Sequence, residues 1–161
     1  MRTAIVNGTL LDTETMTLVG ERHLVIEGDT IVSVDETAPD TGTGVGFDRV
    51  IDARGRFVLP GFVDAHVHHV ITTMDFHRLA RLSATEKALG AARLAEATVL
   101  RGFTTVRDTG GDVTGLVRAI ASGLCDGPRI VRAGRAISQT GGHGDFDIAE
   151  EATICACRVY S

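Results

Sequence analysis

Pro60-Gly61-Phe62-Val63-Asp64-Ala65-His66-Val67-His68-His69 is the stretch on which the reading of this chain turns. Pro-Gly marks a sharp turn, and the apolar residues after it have strand character. In a strand, residues i and i+2 point to the same side. His66 and His68 therefore present two imidazoles to one side, the spacing that a metal chelate at a strand end requires. A bare H-x-H reads first as a polar strand end with solvated histidines, because motifs this short match often by chance. The residues on either side decide between the two.

Downstream, Ser83-Ala84-Thr85-Glu86 fits a capping box, with Ser83 as N-cap and Glu86 three residues on. The helix it opens places Leu89, Ala92, Ala95 or Glu96, and Val99 near one face, and Gly102 stands where a C′ glycine belongs. Phe103-Thr104-Thr105-Val106 is the next strand. Val113, Leu116, Val117, Ile120 and Ala121 then recur at helical spacing up to Gly123, and Arg129-Ile130-Val131 forms a third strand. Strand, helix, strand, helix, strand calls for a parallel sheet.

Upstream, short apolar runs alternate with turn residues. Ala4-Ile5-Val6 precedes Asn7-Gly8, a strong hairpin dipeptide, and His23-Leu24-Val25-Ile26-Glu27 is separated by Gly28-Asp29 from Thr30-Ile31-Val32-Ser33-Val34. Residues 40–46 have the composition of a flexible loop, followed by Val50-Ile51-Asp52 and Phe57-Val58-Leu59. This pattern predicts a small antiparallel β unit.

Composition narrows the partners. The chain has 161 residues, with 16 Lys+Arg against 21 Asp+Glu and a formal charge of -5. Nucleic acid or an anionic membrane needs a clustered positive surface and is a poor fit. Hydrophobic residues at 43% and charged residues at 23% describe an ordinary globular chain. No apolar stretch approaches the roughly 18 residues of a membrane span, and the start breaks too early for a secretory h-region. The expected compartment is the cytoplasm. Three cysteines, Cys125, Cys155 and Cys157, do not read as a disulfide framework, and Cys155-Ala156-Cys157 is a weak C-x-C.

Pro60-Gly61-Phe62-Val63-Asp64-Ala65-His66-Val67-His68 resembles the first barrel strand of the amidohydrolase superfamily, metal-dependent hydrolases with a D-x-H-x-H signature. Ile5-Val6-Asn7-Gly8-Thr9-Leu10, Ile26-Glu27-Gly28-Asp29-Thr30-Ile31 and Val50-Ile51-Asp52-Ala53-Arg54-Gly55 resemble the β-sandwich that precedes the barrel. Arg101-Gly102-Phe103-Thr104-Thr105-Val106-Arg107-Asp108 is similar to the second strand. Thr140-Gly141-Gly142-His143-Gly144-Asp145 looks like the loop after the third strand in the imidazolonepropionase-like and prolidase-like (Xaa-Pro dipeptidase) branch.

The resemblance implies an α/β chain in three parts. Residues 1–59 form a β-sandwich portion, residues 60–147 form the first three β/α units of an incomplete TIM-type barrel, and residues 148–161 form a divergent tail. It implies one or two divalent ions, usually zinc, that activate water for attack on a carbon–nitrogen bond of an amide, dipeptide or N-acyl amino acid. His66 and His68 would be metal ligands, His143 would hold substrate, and Asp64, Arg107 and Asp108 would support the strand ends. A structural salt bridge is an equal reading of Arg107 and Asp108. His69 and His77 read as surface residues or as supports behind the ligands, and His23 as structural.

Departures from the family pattern are as informative. The bridging lysine of the fourth strand has no counterpart, since the only lysine, Lys87, lies inside the first predicted helix. The later histidines and aspartate are also missing, so only two ligands are defensible where a catalytic zinc generally takes three. No catalytic residue is assignable. The sequence therefore reads as an amino-terminal fragment that is inactive alone, with a shifted frame or a genuine short tail after Asp147. The alternatives are a catalytically dead remnant or interaction module, and a half that completes a barrel in trans. Open strand edges and uncovered helices predict homo-oligomers or aggregation.

Overall fold

The computed structural model describes residues 1–42, 46–134 and 137–139. His143, its loop, the C-x-C pair and the tail lie outside the described residues. The chain divides into two compact units, Met1–Pro60 and Gly61–Ser161.

In the first unit, β1 (Arg2–Asp12), β2 (Thr17–Glu27), β3 (Thr30–Asp35) and β4 (Arg49–Asp52) form a sheet in the order β3-β2-β1-β4, and β5 (Phe57–Val58) also pairs with β1. The β1–β2 and β2–β3 pairs are antiparallel, whereas β4 and β5 run parallel to β1. The unit is thus mixed, not purely antiparallel as expected. The correction has a local cause at Asn7-Gly8, which is not a hairpin turn. Asn7 adopts φ 57° inside β1, at a break in the β1–β2 register between Ile5 and Gly8. This is a β-bulge, whose extra residue tolerates the left-handed conformation that asparagine favours. The Asn7 side chain donates to Asp52 Oδ1 at 2.8 Å, and its backbone N–H donates to His23 Nδ1 at 3.2 Å. Gly8 has no room for a side chain, since a Cβ there would lie 2.5 Å from Val58 Cγ2. The hairpin turn falls instead after Asp12, whose Oδ1 accepts the N–H groups of Glu14 (2.8 Å) and Thr15 (3.3 Å), with Met16 at φ 55°. Thr3, Ala4, His23, Leu24 and Val25 are buried in this unit. His23 is structural, as read.

In the second unit, β6 (Phe62–Val67), β7 (Phe103–Asp108) and β8 (Arg129–Arg132) form a parallel sheet in that order. Between β6 and β7 come α1 (Phe76–Arg81) and α2 (Ala84–Leu100), and α3 (Thr114–Ala121) joins β7 to β8. The strand–helix alternation read from the periodicity is present. Both hydrogen bonds of the Ser83/Glu86 capping box form. Gly102 ends α2 at φ 94° and Gly123 follows α3 at φ 72°. Helix α1, capped by Asp75, was not anticipated; at six residues it is too short to show periodicity.

The buried face of α2 includes Ala95 as expected, together with Ala91, whereas Leu89 is exposed. Close approach explains the preference for small residues: a Cβ at Gly127 would lie 2.5 Å from Ile120 Cδ1 and 3.1 Å from Ala95 Cβ. Val106, Val113, Leu79 and Pro128 complete the buried set around the sheet.

Candidate metal-binding strand end

The candidate residues gather at the carboxyl ends of β6 and β7. Val67 pairs with Asp108, which brings the segment after β6 beside the segment after β7. The backbone N–H of Thr109 donates to Val67 C=O at 3.0 Å. His66 and His68 do share a side, with ring centroids 5.1 Å apart and planes at 80°. His66 is exposed and His68 half-buried. Nδ1 of His68 is buried with no hydrogen-bond partner among the described residues. A buried polar atom of this kind calls for a partner beyond the described residues, such as an ion, water, ligand or another part of the chain. Two adjacent imidazoles, one with such a nitrogen, fit a divalent ion as two of its ligands. Among the described residues no group of three His, Cys, Asp or Glu side chains is placed to hold one.

The supporting residues divide according to strand alternation. Asp64 Oδ1 accepts the backbone N–H of His66 at 3.0 Å, which fixes the backbone that carries the first imidazole. Arg107 is exposed, and its Nε donates to Ala65 C=O at 2.7 Å, across from β7 to β6. Asp108 points to the opposite side and is 1% exposed. It does not pair with Arg107. Its partner is His69, itself 3% exposed, whose Nδ1 lies 3.1 Å from Asp108 Oδ2. The same oxygen accepts the His69 backbone N–H at 2.9 Å, and Oδ1 accepts that of Gly110 at 3.3 Å. Since both oxygens accept backbone N–H groups, the ring bond assigns hydrogen to His69 Nδ1.

Of the two readings of His69, a surface residue or a support behind the ligands, the structure excludes the first, since the ring is buried against Asp108. Two residues that each stand at the end of adjacent parallel strands had the sequence signal for this contact, but the pairing register that joins them is a tertiary property. His77 is exposed on α1. Lys87 lies on α2, and partial burial lowers its pKa.

The candidate residues thus lie at the carboxyl ends of parallel strands, where the active sites of (β/α)8 barrels are built. Residues 49–134 match the family model described as "Amidohydrolase family", and the chain belongs to that family. Among similar curated proteins, the ochratoxinase of Aspergillus niger is 34% identical over 92 residues, covering 55% of this chain and 19% of that protein. The imidazolonepropionase of Streptomyces griseus is 39% identical over 90 residues, covering 54% of this chain and 20% of that protein. A solved prolidase complexed with N-methylphosphonate-L-proline superposes with TM-score 0.82 at 37% identity, over 98% of this chain and 38% of that one. A Xaa-Pro dipeptidase with methionine bound in its active site gives TM-score 0.77 at 32% identity, over 92% of this chain and 37% of that one. The chain therefore spans about a fifth of these curated relatives and less than two fifths of these two structures. The imidazolonepropionase-like and prolidase-like resemblance read from the motifs holds. Among the described residues no helix is long and apolar enough to cross a membrane.

Proposed function

We propose that this chain supplies the first part of a zinc-dependent, cytoplasmic hydrolase of carbon–nitrogen bonds. In this reading residues 1–59 are part of a β-sandwich, and residues 60–147 are the opening β/α units of a TIM-type barrel. The observation that carries it is the His66–His68 pair at the end of β6, rings 5.1 Å apart, inside the stretch that matches the family. His66 and His68 would hold the ion, which when bound activates water and polarises a carbonyl. The chain's own contribution is placement. Asp64 fixes the backbone of His66, Arg107 ties Ala65 to β7, and Asp108 holds His69. His143 is proposed to touch the substrate.

Small amides are the proposed substrates, with Xaa-Pro dipeptides or N-acyl amino acids foremost, because prolidase-like structures are among the similar ones at 32–37% identity. The 161-residue chain is proposed to be inactive by itself, since the two ligands among the described residues fall short of the three a catalytic zinc takes. A second reading, a non-catalytic binding module, draws on the same shortfall.

The test loads the chain with zinc and offers a panel of Xaa-Pro dipeptides and N-acyl amino acids, with and without a complementary polypeptide carrying the later barrel strands of a prolidase. Stoichiometric zinc with turnover only in the complemented sample supports the proposal. Turnover by the chain alone would refute its inactivity. Absence of both metal and turnover in every sample favours the binding module.

A further inference from the structure

We infer that Asp108 is a positioning residue that fixes the imidazole of His68 by holding the backbone on both sides of it. The carboxylate is 1% exposed and gathers three N–H groups. Its Oδ2 takes the backbone N–H of His69 (2.9 Å) and the Nδ1–H of the His69 ring (3.1 Å), and its Oδ1 takes the backbone N–H of Gly110 (3.3 Å). His69 is the residue that follows His68, so these bonds fix the chain on which the His68 side chain hangs.

Gly110 is the other jaw. A Cβ at Gly110 would lie 3.3 Å from both Cε1 and Nδ1 of His68, so the glycine backbone lies against the His68 ring. One carboxylate therefore sets both the stem of His68 and the surface its ring rests on. Burial strengthens the arrangement, because a carboxylate out of water is expensive unless its N–H partners stay in place. Each N–H would in turn be left unsatisfied if the carboxylate moved. Backbone pairing adds to the clamp: Thr109 N–H donates to Val67 C=O at 3.0 Å, and Ala133 N–H to Asp108 C=O at 2.9 Å, so Asp108 is anchored to its neighbours on both sides. His69 acts with Asp108 as a ring that fills the buried side of the strand end and adds the third N–H. The pair does not touch the imidazoles of His66 and His68 through any bond in the structure. It acts through the backbone.

The consequence for metal affinity rests on the reading of His66 and His68 as ligands; the positioning itself does not. The experiment separates them. In the metal-free 161-residue protein, labelled at histidine and glycine, proton NMR should show a strong contact between the His68 ring and the Gly110 α-protons. Asp108→Asn replaces one acceptor oxygen by an amide NH2, which opposes the N–H of Gly110 or those of His69 whichever way it turns, and should abolish that contact. His66→Ala should leave it intact. Zinc affinity, measured by competition with a chromophoric chelator, should fall on the order of 10-fold or more in Asp108→Asn, in line with other residues that orient ligands.

A contact that disappears in Asp108→Asn supports the inference even if wild-type protein binds no zinc, and in that case the metal reading alone falls. A contact that persists in a folded Asp108→Asn protein overturns the inference. If that variant does not fold, amide hydrogen exchange of the wild type decides. A His69 N–H as protected as the β7 amides supports the clamp, and exchange at the rate of an open loop overturns it.

Discussion

Replacing Gly61 by alanine should weaken the second unit for reasons of space alone. Gly61 is not among the glycines at positive φ, so its backbone is open to any residue. The obstacle is Thr104 on β7: a Cβ at Gly61 would overlap Thr104 Oγ1 and Cγ2 and would stand 2.6 Å from Thr104 Cβ. Rotation of the threonine moves the first two atoms and leaves the third, which the backbone fixes. Relief by separating the strands would break the Phe62 N–H to Gly102 C=O bond of 2.8 Å and the Phe62–Phe103 ring contact at 5.7 Å.

Overpacking of a well-fitted site typically costs ~1–3 kcal/mol, and the immovable Cβ places Gly61→Ala in the upper part, about 2–3 kcal/mol. The partner series separates the atoms. Thr104→Ala in the same protein clears Oγ1 and Cγ2 but keeps the 2.6 Å approach, and should recover less than half of the loss. Thr104→Gly clears all three at a glycine cost of roughly 0.5–1 kcal/mol in a strand, so Gly61→Ala should then be nearly neutral. The assay is urea unfolding at low protein concentration followed by helical circular dichroism. The described helices α1, α2 and α3 all lie in the second unit, so the signal reports that unit. With a slope of ~1–3 kcal/mol per molar urea, the midpoint should fall by on the order of 1 M. A Gly61→Ala loss under about 0.5 kcal/mol, or an equal loss with and without the Thr104→Gly substitution, would show that the Thr104 Cβ is not the obstacle.

Three further outcomes follow from the same structure. Ser83→Ala removes the N-cap of α2 and should cost about 1 kcal/mol, read in the same urea titration. The Ser83 backbone N–H, and then its hydroxyl, hold the Glu86 carboxylate below the ordinary glutamate range. Its contribution is therefore fully present above that range and is lost as pH falls through the lowered value. An acid titration of helicity should show this loss in the parent and lack it in Glu86→Gln, and identical curves would contradict the capping role. On gel filtration the chain should elute as oligomers, because Phe62, Val63 and Val131 of the β6-β7-β8 sheet are each about half or more exposed at 51%, 69% and 54%. A monomer with one sharp unfolding transition would count against it.

Much of the second unit was legible because its signals are local. The Ser83/Glu86 box, the glycines after α2 and α3, and the helical periodicity each depend on residues within a few positions of one another. The first unit was harder, because Asn7-Gly8 has the same appearance in a hairpin turn and in a bulge. The choice between them lies with Asp52 and His23, which meet Asn7 only after the sheet forms. The site divided in the same way. His66 and His68 were visible through the two-residue alternation of a strand, whereas the partnership of His69 with Asp108, 39 residues apart, depends on how β6 and β7 align. Gly110 was invisible as part of the site, since its role is to leave room beside His68.

Zinc titration of histidine-labelled protein, followed by the ring resonances, shows whether His66 and His68 bind the metal. The His66 and His68 signals should shift together and saturate at one equivalent, His23 and His77 should stay in place, and His66→Ala or His68→Ala should abolish the effect. Resonances of His66 and His68 that do not respond to zinc, or an identical response in those variants, would contradict the assignment of this strand end as the metal site.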